Sequence, residues 1–446
     1  MNPSAAGLSP APGWAHGSGL TIEVGRSTAS TPLDTATNKI FAFGIGFLLA
    51  VLTLSTQYIG TPTDILSRVA PVDFLCMAFL PVLFVRHRMR MPPVPGLLYL
   101  AAVGLALIPA FLFSQGPDVE VWRQGSAILM AFSFYLIGLT LGDSPALLRW
   151  LLAGLCLAVL AEGVVVYHDS LSSNLWFPDP MEHRVRGTFK TNGQLGAYGF
   201  CAAGLLVVFG STLRSAAFRN ICVASALVAS TFVFFASRRT GMIAVFAWGA
   251  LFTVLGWRFA GERFYKLFVG GFLAILLLLG IFWPQVESSF AGRRFRDAMT
   301  SLNSREGFIQ DQLRDAFATS HRWFPFGFGV GEGYLINPQA GFEVHNGMMA
   351  VLIELGVLGF AGFMGMMIHP LLRRRWQKRS RDHELLGVLL TTTLLICFLF
   401  MFHNTLYRDR TFLLFLGVAT AFVLRESGPS RDSKDSGDPR ESWGRA

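Results

Sequence analysis

Charge is scarce in this chain. Of its 446 residues, 15% are charged and 52% are hydrophobic, whereas a water-soluble chain carries about 25% charged residues. A surface so poor in charge excludes an ordinary soluble domain. Cysteine is sparse too. Cys76, Cys156, Cys201, Cys222 and Cys397 all fall inside apolar runs, so none is read as a disulfide or a metal ligand. No Cys-x-x-Cys or His-Glu-x-x-His pattern occurs, and no Gly-Lys-Ser/Thr closes a phosphate loop. Neither a metal nor a cofactor is therefore expected. The N-terminus lacks the basic start and short apolar core of a signal peptide. Residues 1–38 and 426–446, rich in small and polar residues, read as disordered tails.

Long apolar runs are abundant instead. A helix needs about 20 apolar residues to cross the hydrocarbon core, and in lipid it must satisfy its own backbone groups. The expected fold is all-α and polytopic, with about twelve transmembrane helices between residues 39 and 425. The spans are placed at 40–59, 70–86, 97–114, 124–142, 148–167, 195–213, 220–237, 240–257, 266–285, 346–368, 385–403 and 411–425.

The net charge of +9 does not point to nucleic acid, because the basic residues cluster in short loops at span ends. Arg86, Arg88 and Arg90 follow the second span. Arg214 and Arg219 follow the sixth, Arg258, Arg263 and Lys266 the eighth, and Arg373, Arg374, Arg375, Lys378, Arg379 and Arg381 the tenth. Simple alternation puts all of them on one side, which the positive-inside rule makes cytoplasmic. Both termini then lie inside. The opposite side carries two sizeable loops, 168–194 and 286–345. In the longer one, Ile309, Leu313, Ala316 and Phe317 share a helical stripe. An amphipathic helix over the membrane domain is expected there, either functional or merely a cover.

The outer side should be poor in basic residues, yet it is not. Arg184, Arg186 and Lys190 sit in the first outer loop, and Arg238 and Arg239 in a tight turn between the seventh and eighth spans. Arg293, Arg294, Arg296, Arg305, Arg314 and Arg322 sit in the second outer loop. They oppose the orientation signal, so another purpose is expected. Arginine's planar, permanently charged fork suits phosphate, and the set implies an anionic, pyrophosphate-like ligand. Any single one of them could instead be an interfacial anchor.

His345 and Asn346 lie where the long outer loop enters the tenth span, followed by Glu354-Leu355-Gly356-Val357-Leu358-Gly359. A histidine there can be neutral near pH 7 and accept a hydroxyl proton, or simply rest at the interface. Nine residues of helix put Glu354 on the face opposite His345 and about 13 Å along. Glu354 is thus expected to meet polar groups of a neighbouring helix. Gly356 and Gly359 are expected to let another helix approach. Two further patterns are the run from Arg186 to Gly196, including Asn192, and the glycine-spaced run from Pro325 to Gly333. The latter is either an anion-approaching backbone or a flexible loop.

In this order the patterns resemble the bacterial O-antigen ligase and O-antigen polymerase superfamily, over roughly residues 180 to 425. The most specific part is His345-Asn346 to Glu354-x-Gly356-x-x-Gly359. Gly187-Thr188-Phe189 is similar to the family's Arg-x-x-Gly-Thr-Phe element, with Arg184 in the arginine slot and Arg186 a second candidate. Ser237-Arg238-Arg239-Thr240-Gly241 looks like its Ser-Arg motif. Where family members often have Asn-Pro-Asn, this chain has Thr191-Asn192-Gly193, so Asn192 is only a supporting candidate.

The resemblance implies a multi-pass enzyme of the bacterial cytoplasmic membrane. Such an enzyme moves a glycan from an undecaprenyl-pyrophosphate carrier to a glycan or lipid acceptor on the periplasmic face, alongside other polysaccharide-assembly proteins. His345 would be catalytic. Arg184, Arg186, Arg238 and Arg239 would bind pyrophosphate, and Asn346, Glu354, Asn192 and Arg305 would support the site. The competing class is a transporter or flippase for an anionic lipid, which calls for intramembrane charge such as Glu162, with Asp73 near the second span.

Impermeant-maleimide labelling of single cysteines tests the orientation. A cysteine at Ser237 is expected to react from outside intact spheroplasts, and one at Lys378 only after lysis. The reverse pattern would invert the topology.

Overall fold

The computed structural model describes residues 35–50, 71–87, 90–113, 118–171, 185–189, 192–213, 215–236, 239–256, 262–281, 314–315, 317–330, 347–374 and 406–426, with isolated positions at 284, 387, 390, 391, 393, 394 and 397. Among these residues the regular structure is entirely helical. The long helices are α1 (Ala36–Leu48), α2 (Pro71–His87), α3 (Val94–Phe113), α4 (Asp118–Asp143), α5 (Pro145–Leu171), α6 (Asn192–Gly210), α7 (Ala216–Phe235), α8 (Arg239–Gly256), α9 (Glu262–Ile281), α10 (Gly347–Arg374) and α11 (Arg410–Glu426). Each falls on an expected span. The isolated residues between 387 and 397 are helical as well.

Six helices are long and apolar enough to cross a membrane, namely α3, α4, α5, α6, α7 and α10. Shorter apolar helices occupy Ala36–Leu48, Val72–Val85, Val269–Leu278 and Arg410–Leu424. Their starts follow local chemistry. Thr35 caps α1 by accepting the Asn38 N–H at 3.3 Å, and Asp409 caps α11 by accepting the Phe412 N–H at 2.8 Å. The α1 start lies a few residues before the expected boundary at residue 39. Leu105, Ile108 and Leu112 leave α3 with exposed apolar side chains, a face suited to lipid.

Lipid is as apolar as leucine, so helices associate through close contact at small residues. A Cβ on Gly138 of α4 would stand 2.5 Å from the Leu414 carbonyl oxygen of α11, and one on Gly417 would strike the Tyr135 carbonyl. Gly154 of α5 sits against the Phe43 carbonyl of α1 in the same way. The residues that meet reveal direction. Gly138 of α4 meets Leu414 of α11 while Gly142 meets Ala421, so the two helices run parallel. Gly199 meets Ala229 while Gly210 meets Cys222, so α6 and α7 run antiparallel. Glu354 of α10 meets Tyr407, and the Phe363 ring lies tilted against Phe412. Helices α10 and α11 are therefore parallel, and the chain must return between them.

The bundle has two chemically different ends. At one, Arg90 pairs with Asp143 at 2.7 Å, a single residue, Ser144, joins α4 to α5, and the Arg149 guanidinium lies over the Phe218 ring at 5.8 Å. At the other, α2 and α4 begin and the segment before α11 is held by charge.

One expectation is corrected. Gly356 does not serve a helix crossing. It adopts φ 68°, ψ −171° and breaks α10, and a Cβ there would strike the Pro325 carbonyl. The run from Pro325 to Val330 docks into the break. Val357 donates its N–H to the Pro325 carbonyl at 2.8 Å, Phe328 to Ile353 at 2.8 Å, Gly329 to Glu354 at 3.2 Å and Val330 to Ala106 at 3.3 Å. Backbone freed inside a membrane helix needs partners within the protein, and this loop supplies them. The amides of Phe328, Gly329 and Val330 are thus engaged within the protein, while residues 331–333 of the pattern lie outside the described residues. Gly359 meets its own Leu355 rather than a neighbouring helix.

Packing at the glycines predicts a contrast between two variants. Gly417→Ala is expected to cost about 1–3 kcal/mol by overpacking, read as a lowered melting temperature in detergent. Gly104→Ala, whose Cβ would meet nothing within 4 Å, is expected to leave the melting temperature unchanged.

Candidate functional site

The break in α10 aims a charge inward. Glu354, 6% exposed, lies two residues before Gly356, and its backbone carbonyl is occupied by Gly329. Its side chain accepts the Tyr407 hydroxyl at 2.9 Å and pairs with the Arg408 guanidinium. Arg408 also donates to the Gln124 side-chain oxygen of α4 at 2.8 Å, and its guanidinium carbon lies 4.9 Å from the centre of the Tyr407 ring. Tyr99 of α3 donates to the Tyr407 carbonyl at 3.2 Å. Three helices thus converge on the 3₁₀ turn Leu406–Arg408.

The next residues extend this polar end. Asp73 of α2, fully buried, receives Arg410 in a two-point pairing, Nε to Oδ1 and Nη2 to Oδ2, both at 2.6 Å. Arginine's planar fork fits a carboxylate this way.

A third element is the turn Arg186–Phe189, closed by the Phe189 N–H donating to the Arg186 carbonyl at 3.2 Å. Gly187 has φ 57°, in the region favouring glycine. Phe189 lies against Tyr198 of α6, with ring centroids 5.0 Å apart. The turn is tied to the end of α1 and to Glu162 of α5 through Thr188.

The residues singled out from sequence fare differently. Arg186 is buried, 6% exposed, beside the Gly187-Thr188 turn. Arg239 is the first residue of α8, and Asn192 the first of α6. Arg184, Arg238, Arg305, His345 and Asn346 lie outside the described residues, as do Ile309, Leu313 and Ala316 of the expected amphipathic helix. Phe317 of that stripe is 75% exposed. Helix α10 opens at Gly347, so His345 and Asn346 precede its first turn. The five cysteines are free and buried. Among the described residues, no group of three or more His, Cys, Asp or Glu converges.

Sequence reasoning missed Arg408, Arg410 and Gln124. The signal was present. Arg408 and Arg410 follow the expected eleventh span, on the side where the alternation of spans expects few basic residues. Chemically, the arrangement places two guanidinium–carboxylate pairs and neutral hydrogen-bonding groups at one end of an apolar bundle.

The Glu354–Arg408 pair predicts an asymmetric mutational response. Glu354→Ala is expected to cost about 3–5 kcal/mol, because it leaves a buried guanidinium unpaired. The double variant Glu354→Leu, Arg408→Met is expected to recover most of that loss. A double-mutant cycle on unfolding in detergent measures both.

No protein-family model and no curated protein matches the chain.

Proposed function

We propose that this protein is a metal-independent glycosyltransferase of the bacterial cytoplasmic membrane. It transfers a glycan from an undecaprenyl-pyrophosphate carrier to an acceptor hydroxyl on the periplasmic face, in polymerising or ligating O-antigen or exopolysaccharide. The observation that supports this reading is a shared bundle end. The Arg186 turn, the start of α8 at Arg239 and the start of α10 lie at the bundle end away from Arg90, Arg149 and Arg219, alongside Arg408 and Arg410. The positive-inside rule makes the Arg90 end cytoplasmic, which puts the proposed site outside. Parallel packing of α4 with α11 and of α10 with α11 supports twelve alternating spans.

The chemistry needs no nucleotide, because the donor is already activated. His345 takes the proton of the acceptor hydroxyl as its oxygen attacks the anomeric carbon. The new glycosidic C–O bond forms while the bond from that carbon to the phosphate oxygen breaks. The leaving group is undecaprenyl pyrophosphate. Arg184 or Arg186, with Arg238 or Arg239, neutralises its charge as it departs. Asn346, Asn192 and Arg305 support the site, and Glu354 fixes the helix that follows His345 in the chain.

One observation favours the second reading, a transporter or flippase. A broken helix beside buried charges, Gly356 with Glu354 and Arg408, is also how transporters build midplane sites. The two readings separate by product. Purified protein in liposomes, given labelled carrier-linked repeat units, is expected to make a covalently longer glycan and free carrier pyrophosphate. Growth of a ladder without added acceptor marks a polymerase. His345→Ala is expected to lower the rate at least about 100-fold, the contribution typical of a general base, with membrane insertion intact. Movement of unchanged carrier-linked glycan across the bilayer, with no new bond, would establish the transporter instead.

A further inference from the structure

Glu162 is fully buried in α5, thirteen residues or about 20 Å of helix beyond Arg149. Its contacts with the Gly187-Thr188 turn impose a count of protons. Thr188 donates its N–H to Glu162 Oε1 at 2.8 Å. The Thr188 hydroxyl oxygen lies 2.7 Å from Glu162 Oε2 and 2.8 Å from the Ala50 carbonyl oxygen. A hydroxyl has one proton, while an ionised carboxylate and a carbonyl have none to give. With Glu162 ionised, one of these two short contacts would set lone pair against lone pair in a buried site. With a proton on Oε2, every contact is served. Oε2 donates to Thr188 Oγ1, Thr188 Oγ1 donates to Ala50, and Thr188 N–H donates to Oε1. Gly187 completes the fit, because a Cβ on it would strike Oε1.

We infer that Glu162 works as a neutral carboxylic acid, a positioning residue that donates one hydrogen bond and accepts another to hold the Arg186–Phe189 turn. It ties that turn to α5 and, through Thr188, to the end of α1. Its effect on turnover rests on the proposed role of the turn in holding the lipid diphosphate, whereas its protonation stands apart from that role.

The distinguishing variant is Glu162→Gln. A glutamine accepts with its oxygen and donates with its NH₂, as the protonated acid does. Glu162→Gln is expected to keep kcat and KM for the carrier-linked donor within about threefold. Glu162→Ala leaves the Thr188 N–H without its acceptor and is expected to raise that KM about tenfold, the kinetic equivalent of a buried donor left unsatisfied, with a smaller change in kcat. Infrared difference spectra of the full chain in lipid at neutral pH, wild type minus Glu162→Gln with isotope-labelled glutamate, are expected to show a carboxylic-acid C=O band. Absence of that band, or loss of turnover in Glu162→Gln as severe as in Glu162→Ala, would overturn the inference. If wild type itself makes no product, the glycosyltransferase reading fails while the infrared band still decides the state of Glu162.

Discussion

The pairing of Glu354 with Tyr407 and Arg408 ties the broken helix α10 to the last helix. A carboxylate buried in an apolar bundle is costly unless charge and hydrogen bonds surround it. Here the partners come from a segment more than fifty residues away in sequence, and Gln124 of α4 takes another of Arg408's donors. The break at Gly356 sits immediately beyond. The Pro325–Val330 run closes the backbone groups that the break exposes. Remove the charge pair and α10 is left with ring contacts, Phe363 with Tyr407 and Phe412, on the α11 side.

Two kinds of contact divide the labour across the bundle. Glycine-lined crossings such as α4 with α11 and α1 with α5 bring backbones together over long stretches, and dispersion over many atoms holds them. These crossings carry little directional information. Polar contacts near one end supply it. Asp73–Arg410, Glu354–Arg408 and Glu162–Thr188 each join elements distant in sequence, and each has a geometry that only one register satisfies. The other end is simpler, with Arg90 on Asp143 and Arg149 over Phe218.

This asymmetry bears on chemistry at the membrane surface. An enzyme acting on a lipid diphosphate needs fixed cationic groups beside an apolar surface, and it needs them held still before the substrate arrives. Arg408 and Arg410 are held still, each by a buried carboxylate that also balances its charge. The same rigidity would serve a gate that releases only when a charged ligand binds. Bond formation in the substrate separates these uses.

Helix positions were legible in the sequence because a membrane helix satisfies its backbone within one contiguous apolar run. Each described helix, α2 and α5 as much as α10, could therefore be placed from its own residues. The grouping of Arg90 and Arg219 at one end followed from the spacing of basic loops. What Glu354 binds, why Gly356 must be glycine and what the Gly327-x-Gly329 pattern does were decided only in the tertiary structure. Each depends on a backbone or side chain brought in from another part of the chain. Arg408 and Arg410 stand beside an apolar run in plain sight, yet their partners Glu354 and Asp73 are 54 and 337 residues away. Local hydropathy fixes where a helix forms, while which charge meets which carboxylate is settled by how the helices pack.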